Sequence, residues 1–542
     1  MSALERGAGV SRHRLAPAWV LTSLLAVVYL LIAPASPDLA AASYRADLFS
    51  RVGFTLWDNS WYGGHHLPAY SLLAPALSVL LAPRLVAALS MVAATALFSA
   101  LIAERFPRSA TQLAGAWFAL GAGFALLSSR VPFDLGMAIA LGSALAAQRR
   151  LMWVALGLAL LSAIASPVAG AFLALAFLAW ALAGPQRAWP AALTLAALAP
   201  IGLLTVVFPE GGTQPFVASA YFPALVGVIV LAALIPSEQR ELRLGAALYV
   251  LALTGSYLLS TAVGGNADRL GAQFAGPLAA CVLMSARPAS RHPWRGRALI
   301  VLAPFLLYWQ VNAPLADFAA ASSNPSVEAS YYAPLLSELH TLGLGYGARA
   351  ARIEAVASSA HWEARWLAPH VMLARGWERQ LDVQRNKLFY GPSTPLTAAR
   401  YQQWLASSAV SYVALSDAPL DYSARAEARL LRAGGLSFLR EVWRSPHWRL
   451  FAVLGATPLV QAPASVRSVS TDSLSVYMPR AGNYEVRVRF TPYWALAAGK
   501  GCVASAGGPE EWTDIRAQRP GSFRLVIDFS LGRVLSRGSR CR

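Results

Sequence analysis

The sequence predicts a multispan α-helical membrane domain of about eleven helices, followed by an α/β domain and a small β-sandwich. The chain has 542 residues, of which 56% are hydrophobic and 13% charged, against about 25% charged in ordinary soluble domains. Up to Pro314 the charges cluster between apolar runs, whereas after Pro314 they occur throughout. We therefore expect a transmembrane domain over 1–314, an α/β domain over 315–455 and a β-rich domain over 456–542.

The membrane domain is predicted from apolar runs, because a bilayer core needs about 20 apolar residues per helix and fewer where neighbours cover the ends. The N-terminal run has no clear cleavage site after it, so we interpret it as a retained span. The run from Leu72 to Ala82 is short and broken by prolines, so it is expected to lie in the interface or to re-enter; counting it would give twelve spans. The eleven spans are Leu15 to Pro34, Arg84 to Ala103, Thr111 to Leu127, Val131 to Ala147, Leu151 to Ala165, Val168 to Leu182, Trp189 to Phe208, Val217 to Ile235, Leu244 to Thr261, Gly271 to Met284 and Ala298 to Trp309.

The arginines predict the orientation, because arginine in short loops stays on the cytoplasmic side. With the N-terminus inside, the first outer loop (35–83) and all residues after Pro314 are extracytoplasmic, in a multi-pass protein of the plasma membrane. The net charge of +18 then reflects span ends and anionic lipid, so no nucleic-acid partner is expected. The predicted cytoplasmic loops hold Arg6, Arg12, Arg14, Arg105, Arg108, Arg149, Arg150, Arg187, Arg240, Arg243, Arg287, Arg291, Arg295 and Arg297, and the opposite side holds only Arg45, Arg51, Arg84, Arg130 and Arg269.

The tail changes pattern near Pro458. Before it, short apolar strands such as "VSYVALSD" and "WRLFAVL" alternate with helical patterns such as "AARYQQWLASS", which favours an α/β layer. After it, "SLSVYMP", "NYEVRVRF" and "SFRLVIDFS" alternate apolar and polar residues, which is typical of antiparallel strands. An extracytoplasmic tail would also allow Cys502 and Cys541 to form a disulfide.

The first outer loop is the strongest candidate site. It is long and polar, and its aromatic side chains suit a lipid headgroup zone or a sugar platform. Its "GGHHLP" motif does not predict a metal site, because adjacent histidines point in different directions and no third ligand is obvious. The charged residues and histidines of this loop are Asp38, Arg45, Asp47, Arg51, Asp58, His65 and His66, and its aromatics are Phe54, Trp57, Trp61, Tyr62 and Tyr70.

Further polar residues occur where predicted spans meet the outer face. Asp134 lies in "SSRVPFDLG", and Asn266, Asp268 and Arg269 lie in "GGNADRLG". Such residues are either functional or local caps and ion pairs. Arg269 suits a phosphate because the guanidinium fork matches that anion, and Arg130 is a second candidate for the same role. In the tail, the motifs "HWEARW", "ARGWERQLD" and "SPHWRLF" are interpreted as packing in preference to glycan binding.

These features resemble the C-type (GT-C) superfamily of membrane glycosyltransferases, which use polyprenyl-phosphate sugars. The stretches "LWDNSWYGGHHLPAYSLLAP", "SPVAGAFLAL", "GGNADRLGAQFAGP", "HWEARWLAP", "LARGWERQLD" and "VSYVALSDAPLDYSA" are similar to those of an actinobacterial family of integral membrane proteins of this type. The resemblance implies inverting transfer of a sugar from a polyprenyl-phosphate donor to a cell-envelope glycan or lipid acceptor outside the membrane. It implies no fixed cofactor, and a divalent metal stays an open alternative.

The resemblance also assigns roles. The catalytic base maps onto Asp47 or Asp58, and Asp47 is favoured because it follows the first span and would start a helix. Arg269 with Arg130 would hold the donor phosphate. The adjacent acidic pair of some superfamily members is absent. The expected substrate-binding residues are His65, His66, Trp57, Trp61, Tyr62 and Asn266, of which the histidines would assist the leaving group or the acceptor.

Two other functions stay open on sequence grounds. A transporter or flippase for a lipid-linked glycan would need polar residues along the middle of the spans, and "LMWVALGLALLSAIA" has almost none. A non-catalytic envelope assembly protein would need only outer domains that bind a glycan or a partner. The sugar, the acceptor and the oligomeric state are not predicted.

Overall fold

The computed structural model describes residues 16–285, 293–391, 395–536 and Cys541. Of the arginines that predict the orientation, Arg6, Arg12, Arg14, Arg287 and Arg291 lie outside the described residues, as does Leu15 at the start of the first predicted span.

The first part of the chain is mainly helical. Two of its helices, α2 and α3, lie in the first outer loop, and each of the other eleven overlaps one predicted span. In chain order the helices are α1 (Ala18–Ile32), α2 (Pro37–Val52), α3 (Ala74–Leu81), α4 (Pro83–Ala103), α5 (Arg108–Ala125), α6 (Val131–Gln148), α7 (Met152–Ala165), α8 (Pro167–Ala183), α9 (Ala188–Val207), α10 (Ala218–Leu234), α11 (Arg240–Leu258), α12 (Asp268–Ser285) and α13 (Pro293–Ala321).

Only some of these helices are long and apolar enough to cross a bilayer by themselves. Within the described residues they are α4, α6, α9 and the 294–321 part of α13. A fifth crossing results if α1 and α2, which meet at a bend of 78°, form one broken span. The chain is therefore a membrane protein, while the count of eleven crossings and their direction stay predictions. α3 has eight residues, or about 12 Å of helix, which is too short to cross.

The tail begins with a mixed five-stranded sheet. α13 runs past Pro314 to Ala321 before this sheet starts. The strand order is β4-β3-β5-β7-β6, in which β4, β3, β5 and β6 run in one direction and β7 is antiparallel to its neighbours β5 and β6. A two-stranded hairpin, β1 (Trp57–Asp58) and β2 (His65–His66), precedes it in the first outer loop. The sheet and its helices are β3 (Arg352–Ala355), β4 (Met372–Leu373), β5 (Val410–Ser416), β6 (Leu439–Arg444), β7 (Trp448–Val453), α14 (Ala329–Thr341), α15 (Glu363–Trp366), α16 (Arg379–Arg385), α17 (Ala398–Ser407) and α18 (Arg425–Ala433).

The last part of the chain is a sandwich of two antiparallel sheets. One has the order β10-β13-β12 and the other β11-β14-β9-β8. Val476, Val486, Ile515 and Leu525 come from both sheets and share one buried core, as alternating strand residues should. Cys502 and Cys541 form a disulfide. The elements are β8 (Ser465–Val469), β9 (Ser473–Met478), β10 (Gly482–Arg489), β11 (Trp494–Ala498), β12 (Gly501–Gly507), β13 (Trp512–Ala517), β14 (Gly521–Ile527) and α19 (Leu531–Ser536).

Small residues allow the membrane helices to pack closely, as expected where lipid removes the hydrophobic drive for helix association. At Gly170 on α8, an added Cβ would lie 2.6 Å from Cβ and 2.7 Å from Cα of Ala163 on α7. The second of these atoms is backbone, so the clash cannot be relieved by a side-chain rotation. α8 lines the helical side of the candidate site cavity, so its contact with α7 helps to fix that wall.

We expect Gly170→Ala to lower the melting temperature of the purified protein in detergent, because overpacking costs about 1–3 kcal/mol. Gly157→Ala on α7 is the matched control, since an added Cβ there meets nothing within 4 Å and alanine favours helix by up to about 1 kcal/mol. Equal melting temperatures for Gly170→Ala and the wild type would contradict the packing argument.

Candidate active site

A cavity of about 750 Å³ lies where the membrane helices meet the α/β domain. Its helical wall comes from the first turns of α2, α6, α8 and α12, the last turns of α9 and the second half of α13. The α/β domain closes it with residues near His361, with 377–380 and with Asp421. Four helix N-termini face one space, and each of these dipoles favours negative charge near it.

Arg269 is the cation best placed to reinforce this preference for negative charge. It is the second residue of α12, and its guanidinium carbon lies 5.3 Å from the centre of the Phe133 ring. Among the described residues, none hydrogen-bonds to the guanidinium of Arg269 or forms an ion pair with it. An arginine without a carboxylate partner on a cavity wall leaves its fork of donors free for a ligand.

Arg130, in contrast, is already paired. It precedes α6, and its Nε donates to Oδ2 of Asp38 at 3.1 Å while Nη2 donates to Oδ2 of Asp317 at 3.0 Å. The Ser128 hydroxyl donates to the same Asp317 oxygen at 2.6 Å. Arg130 therefore orders two carboxylates on the cavity wall and has less capacity left for an anion than Arg269.

Four of the carboxylates that line the cavity lie on its membrane helices, and their surroundings differ. Asp38 lies in the first turn of α2, and its side chain is 31% exposed. Asp317 accepts two hydrogen bonds on one oxygen, and Asp268 accepts one from the indole of Trp309 at 2.8 Å. Asp134 is buried, and its Oδ2 has no partner among the described residues. In the described part of the chain, no three histidine, cysteine or acidic side chains group as a metal site.

Of the residues given a site role from the sequence, Arg130, Arg269 and Asn266 line the cavity, together with Asp38, Tyr70, Asp134 and Asp268 from the wider set of polar and aromatic candidates. Asn266 lies in the 3₁₀ turn Gly264–Ala267 and is buried. The structure therefore brings together the polar residues found where predicted spans meet the outer face.

The predicted bases Asp47 and Asp58 do not line the cavity. Asp47 lies nine residues after Asp38 on α2, which is roughly 14 Å further along the helix, and it pairs with Arg51 at 3.0 Å and Arg365 at 3.4 Å. Asp58 is fully buried and accepts hydrogen bonds from the Tyr44 hydroxyl at 2.8 Å and the Ser60 backbone at 2.9 Å. Both carboxylates are thus occupied by structural partners. Asp47 lies away from the cavity because only the start of α2 lines it.

The remaining predicted substrate residues belong to a buried joint. Trp57 packs in the sandwich core, and Trp61 packs in the core that joins the membrane helices to the α/β domain. The His65 ring stacks on Trp61 with 5.7 Å between ring centres, and burial lowers its pKa. Tyr62 exchanges hydrogen bonds with the backbone of Glu378. We call the segment 57–66 with its partners the joint.

The centre of the joint is Glu210, in the connection after α9. Its Oε1 accepts a hydrogen bond from the backbone of His66 at 2.7 Å and lies 2.8 Å from the ring Nδ1 of the same residue. Its Oε2 accepts from Arg385 of α16 at 2.6 Å. Burial opposes ionisation here, but Arg385 and His66 hold the pKa of Glu210 well below its usual range. The ring Nε2 of His66 lies 2.9 Å from the hydroxyl of Thr491 in the sandwich region, so one carboxylate connects all three parts.

The α/β domain supplies cavity residues that the sequence analysis had assigned to packing. The His361 ring stacks on Trp377 with 3.5 Å between centres, and Arg379 donates to both oxygens of Asp421 at 3.0 and 2.7 Å. Burial would lower the pKa of His361, but the hydrogen bonds that its ring donates to the Asp421 and Glu363 carboxylates raise the pKa above its ordinary value. In the sequence, the motifs "HWEARW" and "ARGWERQLD" could have indicated His361, Trp377 and Arg379 as site residues. Within the first, Trp362 does pack, donating to the carbonyl of Ala35 at 3.0 Å.

Comparison with known proteins finds likeness only among solved structures. No family model and no curated protein matches the chain. It is similar to the arabinofuranosyltransferase AftD from Mycobacteria, at 14% identity and a TM-score of 0.46 over 98% of this chain and 58% of that one. It is also similar to the Archaeoglobus fulgidus oligosaccharyltransferase, at 11% identity and a TM-score of 0.42 over 74% and 68% of the two chains. The function is therefore argued from the cavity itself.

We expect Glu210→Gln to destabilise the protein strongly, because breaking a buried ion pair costs about 3–5 kcal/mol. The measurement is the melting temperature in detergent. Glu238→Gln, at an exposed position, is the matched control and should change nothing. Since Arg385 would be left without its charge partner, the double variant Glu210→Gln with Arg385→Met should lose less than the sum of the two single losses. Strict additivity would contradict the pairing.

The raised pKa of His361 predicts a pH-dependent stability. A histidine whose folded pKa lies above its unfolded value stabilises the protein fully below about pH 6.5, and that contribution is lost as pH rises through the folded pKa. The melting temperature of the wild type should therefore exceed that of His361→Gln most at pH 6, and the difference should shrink towards pH 9. His340→Gln, at an exposed histidine, should show no such trend. A difference that stays constant would refute the assignment.

Proposed function

We propose that this protein is a membrane glycosyltransferase of the GT-C type. It moves a sugar from a polyprenyl-phosphate donor to a cell-envelope glycan or lipid acceptor outside the plasma membrane, with inversion. The observation that carries the proposal is the unpaired guanidinium of Arg269 on the wall of a cavity that also holds a partly exposed carboxylate, Asp38. A volume of about 750 Å³ lies in the range of small-molecule sites.

The leaving group of this reaction is a polyprenyl phosphate. Its charge grows as the bond between the anomeric carbon and the phosphate oxygen breaks, so a cation must stabilise it. Arg269 is free to do so with two parallel hydrogen bonds, and the N-termini of α2, α6, α8 and α12 add a favourable potential. Arg130, paired with Asp38 and Asp317, contributes charge and holds these carboxylates in place.

The base is best assigned to Asp38. It lies soon after the first predicted span and in the first turn of a helix, the two features for which Asp47 was favoured from the sequence. One of its oxygens pairs with Arg130, and no hydrogen bond from a described residue occupies the other. Asp38 would take the proton from the hydroxyl group of the acceptor. The oxygen of that hydroxyl group would attack the anomeric carbon from the face opposite the phosphate. The phosphate leaves with the bonding electron pair, so the configuration inverts.

The other cavity residues divide between donor and acceptor. Asn266 lies in the turn before α12 and would contact the donor sugar or phosphate beside Arg269. The α/β domain wall, with Trp377, Arg379 and Asp421, would face the acceptor. This division follows from the lipid donor, whose chain must stay on the membrane side of the cavity.

The orientation belongs to the same proposal. With the N-terminus inside and eleven crossings, the cavity and both tail domains lie outside the cytoplasm, where polyprenyl-phosphate sugars serve as donors. The asymmetry of the arginines supports this orientation.

Turnover by variants tests the assignment. Purified protein in nanodiscs is given a panel of polyprenyl-phosphate pentoses and hexoses with cell-envelope glycan extract, and released polyprenyl phosphate is measured by mass spectrometry. Asp38→Asn should lower turnover by a factor of about 10² to 10⁴ and leave donor binding intact. Arg269→Gln should weaken donor binding and turnover together.

The matched controls are Asp47→Asn on the same helix, Asp58→Asn in the joint and the exposed Arg105→Gln. Asp47→Asn and Arg105→Gln should keep wild-type turnover. Full activity of both Asp38→Asn and Arg269→Gln would defeat the proposal. Loss of turnover in Asp47→Asn, with Asp38→Asn active and both variants folded by melting temperature, would return the base to Asp47.

A further inference from the structure

The end of the sandwich exposes a concentrated apolar surface. Most exposed apolar side chains of the described tail are scattered singly, as is normal on protein surfaces. Three exposed apolar side chains, those of Phe529, Leu531 and Leu535, instead lie within seven residues of the chain. Leu531 and Leu535 are 75% and 84% exposed. Clustered exposure of this kind marks an interaction surface. The exposed large hydrophobic residues described beyond residue 322 are Tyr422, Val442, Leu454, Tyr477, Phe529, Leu531 and Leu535.

This surface, which we call the Phe529 patch (Phe529, Leu531 and Leu535), is built by folded contacts. Arg533 of α19 is buried and donates to the carbonyl of Trp494 at 2.9 Å and to Asp528 at 2.8 Å. Leu531 and Leu535 are four residues apart, so they share the helix face opposite Arg533. The arginine thus anchors one side of α19 and leaves the apolar side directed outward.

The patch lies beside the end of a membrane helix. The Phe529 ring is 6.0 Å from the ring of Phe208, the residue that follows α9, and the Tyr493 hydroxyl donates to the carbonyl of Val207. One turn earlier on α9, Leu203 and Val206 are 63% and 53% exposed. α9 is among the helices long and apolar enough to cross a bilayer, so the patch continues its outward apolar face.

The first outer loop extends the same surface. Phe54 is 62% exposed and, with Leu204, Phe208 and Phe529, lines a mainly apolar groove between the loop, α9 and the sandwich. Three separate segments of the chain therefore present apolar side chains at one level, next to a helix that lipid would surround.

We propose that the Phe529 patch docks into the interfacial layer of the bilayer around α9, so that the sandwich rests on the membrane. Lipid is the occupant because the patch is continuous with the outward face of a membrane-crossing helix. A protein partner would have to cover the exposed side chains of α9 as well. Short amphipathic segments with exposed leucine and phenylalanine bind this layer. Through the Glu210 joint, such docking would also limit the tilt of the tail domains over the cavity.

A spin label reports the surroundings of the patch directly. Leu535→Cys is labelled with a nitroxide in the full-length protein in nanodiscs, and its collision rates with oxygen and with a water-soluble nickel chelate are compared. Leu454→Cys, at an exposed leucine of the α/β domain, is the control. We expect a several-fold higher oxygen-to-nickel ratio at position 535 than at 454.

Two results would overturn the proposal. Equal ratios at the two positions would mean that the patch faces water. Low accessibility to both reagents at 535 would mean that protein covers it, and cross-linking between labelled chains would then identify a second copy. Unchanged melting temperatures check that both variants are folded. The readout does not involve sugar transfer, so it can fail or succeed independently of the proposed function.

Discussion

The architecture depends on one buried carboxylate. Glu210 contacts His66 of the first outer loop and Arg385 of the α/β domain, and through His66 it reaches Thr491 near the sandwich. Taking such charges out of water is expensive, so the arrangement is stable only because each charge has its partner within 3 Å. The geometric demand of that pairing fixes how three parts of the chain meet.

The cavity is a consequence of this joint. Its helical wall and its α/β wall come from parts far apart in the chain that share one buried core, and each presents only part of the polar lining. Arg269 lies on one wall and Asp421 on the other. Because charged donors and acceptors are effective only at fixed distances, a loose connection between the two parts would leave the cavity without defined chemistry. The conspicuous loop motif "LWDNSWYGGHHLP" therefore serves to hold the walls together.

The sequence indicated candidate site residues because polar groups near lipid are energetically costly. It could not predict which of these side chains the packed helices direct into the cavity. Arg269, Arg130 and Asn266 stood out because charged or amide groups at span ends need a reason, and all three line the cavity. The sequence favoured Asp47 as the base, with Asp58 as the alternative, and did not indicate that role for Asp38, although Asp38 and Asp47 share α2. Asp38 lines the cavity and Asp47 does not, because only the first turn of α2 reaches the cavity between the helices. That packing depends on contacts far away in the chain.

The sequence by itself determined the apolar helices, the strand-rich tail and the polar groups at the helix ends, because periodicity and the cost of charge near lipid act over a few residues. Helices occur at each predicted span, and strands occur at each tail motif that was predicted as a strand. Only the tertiary structure decided that the aromatic loop forms a joint, and that His361, Trp377 and Asp421, from distant segments, close the cavity. Such positions arise from long-range packing between domains, which no local pattern of residues encodes.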